Sequence, residues 1–105
     1  DNITVFVDIN GQQVDGAIED VMRIEPLAER LTGFGAAVQV VDGHDIEAME
    51  RAAAVEHTGK PLFVLCYTDT ARGVPLLNER KPYLHYVRFK SAEEKQQFVD
   101  FLATM

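Results

Sequence analysis

Ile3-Thr4-Val5-Phe6-Val7 runs directly into Asp8-Ile9-Asn10-Gly11-Gln12, and these ten residues decide the fold. β-Branched and aromatic side chains fill both alternating sets of the first five, the pattern of a strand covered on two faces rather than of an alternating edge strand. The pattern predicts a central strand of a sheet. Asn10-Gly11 then breaks the run, and the loop beyond the carboxyl end of a buried parallel strand is where open α/β sheets place their ligands. Asn10 can offer an amide oxygen to a hard cation, Gly11 permits a tight turn, and the Gln12 carbonyl adds a second oxygen. Mg2+ held this way keeps phosphate oxygens and water in its other positions. Asn-Gly is also a common turn dipeptide, so local spacing leaves both readings open.

Downstream, Asp15-Gly16 closes a turn-rich loop, and Ile18, Val21 and Met22 suggest one short helical turn. Pro26 suits the first turn of a helix whose Leu27, Leu31 and Phe34 share a face, with Gly35 placed to end it in a left-handed cap. Ala37 to Val41 is a second strand, Asp45 caps a second helix with Ile46, Met49 and Ala53 as its buried stripe, and Thr58 to Pro61 stops that helix. Leu62 to Tyr67 is a third strand, apolar on both faces. Strands alternating with helices imply right-handed crossovers and an α/β fold: a parallel sheet with flanking helices. From Thr68 to Lys90 the pattern loosens into a segment rich in Arg, Pro and aromatic residues, of the length that is often functional. Ser91-Ala92-Glu93-Glu94 is a capping box for a terminal helix with Phe98, Phe101 and Leu102 on its inner face.

With 105 residues, 47% of them apolar, the chain can bury one core, and residues 1–105 read as a single domain. A net charge of -7 without a Lys/Arg cluster argues against a nucleic-acid groove or an anionic membrane surface. No apolar stretch approaches the ~20 residues of a membrane span. The lone Cys66 lies inside an apolar run, so no intrachain disulfide forms, and a buried thiol in a reducing, cytoplasmic setting fits better than a nucleophile. Asp1-Asn2 leads straight into a strand, which reads as the start of a fragment, a processed product or the downstream piece of a divided gene.

The run Val5 to Gly16 resembles the end of the thiamine-diphosphate motif of transketolases. So, in the same order, do Glu25-Pro26-Leu27-Ala28, Phe34-Gly35, Val41-Asp42-Gly43-His44-Asp45-Ile46-Glu47-Ala48 and Gly59-Lys60-Pro61, and more weakly Gly73-Val74-Pro75 and the terminal helix. The resemblance implies the C-terminal part of a larger, doubly wound thiamine-diphosphate-binding module. In that family a Gly-Asp-Gly opens the motif upstream of the Asn matched by Asn10, and this chain lacks it. Its Asp, the Asn side chain and the carbonyl matched by Gln12 hold Mg2+ against the cofactor's diphosphate. Asn10 and Gln12 are thus implied as cofactor-binding and metal-ligating residues, and the chain alone is expected to bind metal and cofactor weakly or not at all.

His85, within Lys81-Pro82-Tyr83-Leu84-His85-Tyr86, matches the place of the family's Trp-His-Gly, where the His faces cofactor and sugar. It is the implied catalytic residue, through hydrogen bonds or proton transfer to substrate oxygens, although a histidine among aromatic residues is also an ordinary packing residue. The implied activity is transfer of a two-carbon ketol unit between sugars. It needs the upstream half of the module and a pyrimidine-binding domain or subunit, in a dimer or higher assembly, with a sugar phosphate or related substrate. Thr68-Asp69-Thr70-Ala71-Arg72-Gly73 departs from the family's Lys-Gly-Lys-Gly loop: both lysines are missing, Arg72 can replace one charge, and Asp69 opposes an anionic sugar. A degenerate, non-catalytic module kept for assembly is the alternative. Other thiamine enzymes, such as dehydrogenase E1 components and deoxyxylulose-phosphate synthases, share the Asn motif but not the Val41 to Ala48 wording. His44 reads as capping and packing, His57 as a solvated helix end, and Glu19-Asp20 and Glu93-Glu94 as solvated first turns.

Overall fold

A computed structural model describes residues 2–105. Strand β1 (Thr4–Ile9) leads to a tiny antiparallel hairpin, β2 (Gln12–Gln13) and β3 (Gly16–Ala17), and to a single helical turn, α1 (Ile18–Val21). Helix α2 (Leu27–Gly33), strand β4 (Ala37–Asp42), helix α3 (Ile46–Ala53) and strand β5 (Leu62–Tyr67) follow, then a 3-10 turn over Pro75–Arg80 and helix α4 (Ala92–Leu102). The three longer strands form one parallel sheet in the order β1-β5-β4. The parallel α/β fold expected from the sequence is the one observed.

The position of β1 differs from expectation. β5 is the central strand, with Leu62, Val64 and Leu65 fully buried, whereas β1 pairs with β5 alone and its other edge has no partner among the described residues. Phe6 is 49% exposed for the same reason: its face of the sheet is covered by α3 only over β5 and β4. The two-faced apolar pattern of β1 is that of a covered strand, but none of the described residues supplies the cover on its open side.

Chain topology explains the layers. The path steps from β1 outward to β4 and then back to β5, so right-handed crossovers put α2 and α3 on opposite faces. On the α3 face, Ala52 and Met49 pack on Leu62, Val64, Cys66, Ala37 and Val41. Each fully buried Leu or Val contributes about 1.5–3 kcal/mol relative to exposure. Ile46, expected in that stripe, is 80% exposed because it stands on the first helical turn and looks past the sheet.

Helix boundaries follow local chemistry. Asp45 caps α3 as expected, its Oδ1 accepting from Ala48 N at 2.9 Å. α2 ends in a Schellman arrangement: Gly35, at φ +91°, donates to Thr32 O and Ala36 to Leu31 O. Phe34, expected on the buried face of that helix, falls at its end and is almost fully exposed. α3 stops at Ala53, ahead of the expected stop, so His57 lies in the following turn with its Nδ1 2.8 Å from Lys60 O. Only half of the capping box forms: Ser91 Oγ accepts from Glu94 N at 3.1 Å, while the Glu94 carboxylate binds the Arg80 guanidinium and Lys90 N instead of returning to Ser91. Glu94 is therefore a docking residue for α4 and not a solvated first-turn carboxylate.

Candidate functional site

The loop after β1 is organised by its own polar side chains. Asn10 Oδ1 accepts from Gln12 N at 3.0 Å, Asn10 Nδ2 lies 3.4 Å from Asp8 Oδ2, and Gly11 turns the backbone at φ +72°. Ile18 N donates to Gly11 O, which makes Gln12 a non-hydrogen-bonded position opposite Ala17. At such a position the backbone N–H and C=O both point away from the partner strand. The Gln12 carbonyl and the Asn10 amide oxygen consequently share one side of the loop.

That side borders a cavity of about 290 Å3 lined by Asn10, Gln12, Gln13, Thr70, Leu77, Leu84, His85 and Val87. The structure thus brings together Asn10, Gln12 and His85, the three residues singled out in the sequence. Gln12 reaches across 58 positions, its Nε2 donating to Thr70 Oγ1 at 2.7 Å, and its Oε1 is buried without a hydrogen-bond partner. His85 is exposed and stacks edge-on against Tyr86, with ring centroids 5.2 Å apart. Asn10 also borders a second cavity of about 410 Å3, whose walls include Ile9, Ile18, Glu25 and Tyr67.

The donor set tests what this place can hold. Among the described residues no group of three or more His, Cys, Asp or Glu side chains converges on a metal position, so a zinc-type centre has no ligands here. What is present is oxygen chemistry: an amide oxygen with one lone pair still free, a backbone carbonyl, and the unpartnered Gln12 Oε1. Such neutral oxygens suit a hard cation that brings most of its own ligands, as Mg2+ does with phosphate oxygens and water. Asp8 is not among the residues that line the cavity; its Oδ1 accepts from Thr68 Oγ1 at 2.5 Å and its Oδ2 faces the Asn10 amide.

The segment after β5 forms the facing wall, and two of its cations are paired, one within the segment and one with the end of β4. Lys81 Nζ meets Asp69 Oδ1 at 2.5 Å, and Arg72 lies 3.5 Å from Asp42. The lysine beside Asp69, with help from the Ala71 N–H, holds its carboxyl below the usual carboxylate range. The His44 N–H does the same for Asp42, with the Arg72 charge assisting. His44 itself does not cap α3; its Nε2 accepts from the backbone N–H of Asp69 at 2.8 Å. Burial, with the Asp8 charge, pushes the Cys66 thiol up, against a nucleophilic role. Thr68, Thr70, Asp8 and the His44 contact were missed in the sequence: their partners lie 25 to 60 positions away and leave no local period.

No protein-family model and no solved structure matches the chain. Similarity to curated proteins is clear. A transketolase family protein of Sinorhizobium fredii is 36% identical over 96 residues, covering 89% of this chain and 34% of that protein. A 6-deoxy-6-sulfo-D-fructose transketolase subunit of Clostridium sp. is 34% identical over 77 residues, covering 70% of this chain and 27% of its own length. An apulose-4-phosphate transketolase subunit of Phocaeicola vulgatus is 29% identical over 101 residues, covering 94% and 35%. The chain spans about a third of the length of these relatives. With a parallel α/β sheet and transketolase relatives matched over most of its own length, the chain is a transketolase-like protein.

Proposed function

We propose that this chain is the C-terminal part of a thiamine-diphosphate-binding module in a transketolase-like enzyme, which transfers a two-carbon ketol unit between sugars in a cytoplasmic assembly. The observation that carries this reading is the convergence of Asn10, Gln12 and His85 on one cavity at the carboxyl end of a parallel sheet. Asn10 Oδ1 and the Gln12 carbonyl would hold Mg2+ and, through it, the diphosphate of the cofactor. Thiamine diphosphate supplies the carbon chemistry when bound, and the chain's own residues orient it and bind substrate oxygens. His85 would donate hydrogen bonds, or move a proton, at a sugar oxygen. The third metal ligand comes from the upstream half of the module, and a pyrimidine-binding domain or subunit completes the site. Names of two relatives include the word subunit, which supports a divided assembly. The chain by itself is inactive on this reading.

The test is cofactor titration of the completed assembly by calorimetry in the presence of Mg2+. Asn10→Ala should weaken thiamine-diphosphate binding at least tenfold, while the cofactor-free assembly loses no core volume and only the hydrogen bond from Gln12 N, about 1 kcal/mol, so the melting temperature should fall more with cofactor than without it. Equal losses with and without cofactor would contradict it.

A second reading is favoured by one observation: Arg72 and Lys81, two cations of the segment after β5, are both engaged by carboxylates. A degenerate module kept for assembly would look like this. It predicts no heat on titration of the completed, wild-type assembly.

A further inference from the structure

One histidine at the carboxyl edge of the sheet has no part in the proposed reaction. His44 stands in the turn between β4 and α3, where its backbone N–H donates to Asp42 Oδ1 at 2.9 Å and Asp45 provides the helix cap. Its imidazole is therefore free for another contact, and it crosses to the end of β5. The turn lies close against that strand: Gly43 N donates to Tyr67 O at 2.9 Å, and a Cβ on Gly43 would come within 2.5 Å of Thr68 Cγ2. This closeness lets His44 Nε2 reach the Asp69 N–H.

Asp69 is the pivot of the loop that follows. Its carboxylate accepts from Ala71 N and Lys81 Nζ, and its carbonyl accepts from Arg72 N. The next residue, Thr70, takes the Gln12 side chain at the cavity wall. Two hydrogen bonds on adjacent residues, His44 to Asp69 and Gln12 to Thr70, thus tie the β4–α3 turn through the loop backbone to the residues around Asn10.

We propose that His44 is a positioning residue, a latch that holds the loop Thr68–Val74 against the sheet and Thr70 at the cavity wall, and that it closes only when Nε2 carries no proton. A neutral imidazole with its proton on Nδ1 accepts from Asp69 N–H, whereas an imidazolium has a donor at both nitrogens and faces another donor. The charged groups around it are Asp42 and Asp45 on its own turn, Asp69 and Arg72 on the loop, and Lys81 on the segment beyond. With a proton on Nε2 the ring has no acceptor to offer the amide and turns toward those carboxylates, so protonation opens the latch. The geometry is independent of the proposed function; its consequence for cofactor or substrate contact rests on that reading.

Nuclear magnetic resonance on the full chain, with any partner it needs bound and unlabelled, reads the latch without a ligand. With the ring neutral, His44 Nε2 should show the resonance of an unprotonated acceptor, and the Asp69 amide should be protected from hydrogen exchange. His44→Phe should lower that protection about two- to tenfold, the scale of one net hydrogen bond, with protection across Leu62–Tyr67 unchanged. His44→Gln, whose Oε1 accepts but does not titrate, should restore part of it and make it flat with pH, while the wild-type protection falls as pH drops. A proton on Nε2 in the wild type, unchanged Asp69 protection in His44→Phe, or the same pH profile in His44→Gln would overturn the assignment. If the Phe variant does not fold, the wild-type Nε2 resonance and pH profile decide alone. Failure of the latch leaves the Asn10→Ala titration untouched, so the two failures are distinguishable.

Discussion

Glu25 and Tyr67 sit 42 positions apart and share a hydrogen bond of 2.6 Å from the phenol to the carboxylate. That bond, then the Leu27 N–H, holds the Glu25 carboxyl below its usual range, and the same bond, with burial, pushes the Tyr67 hydroxyl up to about 12. The signs differ at the two ends of the pH scale. A lowered carboxylate contributes stability that is present above its ordinary value of about 4.3 and is lost as pH falls through the lowered one. A raised phenol contributes stability that is present below about 10 and is lost as pH rises toward the raised value. Tyr67→Phe should therefore shrink the alkaline limb to the share left by the raised Cys66 thiol, and shrink, but not remove, the acid limb, because Leu27 N–H still binds Glu25. Urea midpoints measured across both limbs check this, and an unchanged alkaline limb would contradict it.

Between elements, the β4–α3 turn fits closely against the end of β5. A methyl group on Gly43 would meet Thr68 Cγ2 at 2.5 Å, Cys66 Cβ at 3.0 Å and the Cys66 carbonyl carbon at 3.2 Å. Overpacking of this kind costs about 1–3 kcal/mol, against which the stiffer unfolded chain of Ala returns only about 0.4–1 kcal/mol. Gly43→Ala should thus be destabilising, with a Tm lower by several degrees, and a thermal melt settles the sign. The sequence allowed much of this layer to be read: Leu62–Tyr67 as a strand, Asp45 as a cap and Gly35 as a left-handed helix end each carry a local signature. It allowed Asn10, Gln12 and His85 to be singled out one by one. Their meeting at one cavity was not legible in spacing, because Gln12 finds Thr70 and Thr68 finds Asp8 only after the sheet has formed. The edge position of β1 was hidden for a different reason, since apolar residues on both faces record the need for cover and not who provides it.

On the largest scale, the chain is long for its mass. Its Cα radius of gyration is 17.3 Å with extents of 55 × 31 × 17 Å, whereas a compact chain of this size has a radius of about 13 Å. The reason lies at the C-terminal end: α4 leans chiefly on the segment from Leu76 to Lys90, through Phe98 on Phe89 and Glu94 on Arg80, with Leu102 68% exposed. Small-angle scattering of the monomeric chain should give a radius nearer the larger value, and one near 13 Å would mean that α4 folds back onto the sheet. The open side of β1 carries a hazard of its own. Alternate residues of the strand, Thr4, Phe6 and Asp8, turn unpaired amides and carbonyls to it, with neither Lys nor Pro to discourage a neighbour. As its concentration rises, the chain should stack on itself along that edge toward cross-β material, read as an apparent mass that climbs with concentration.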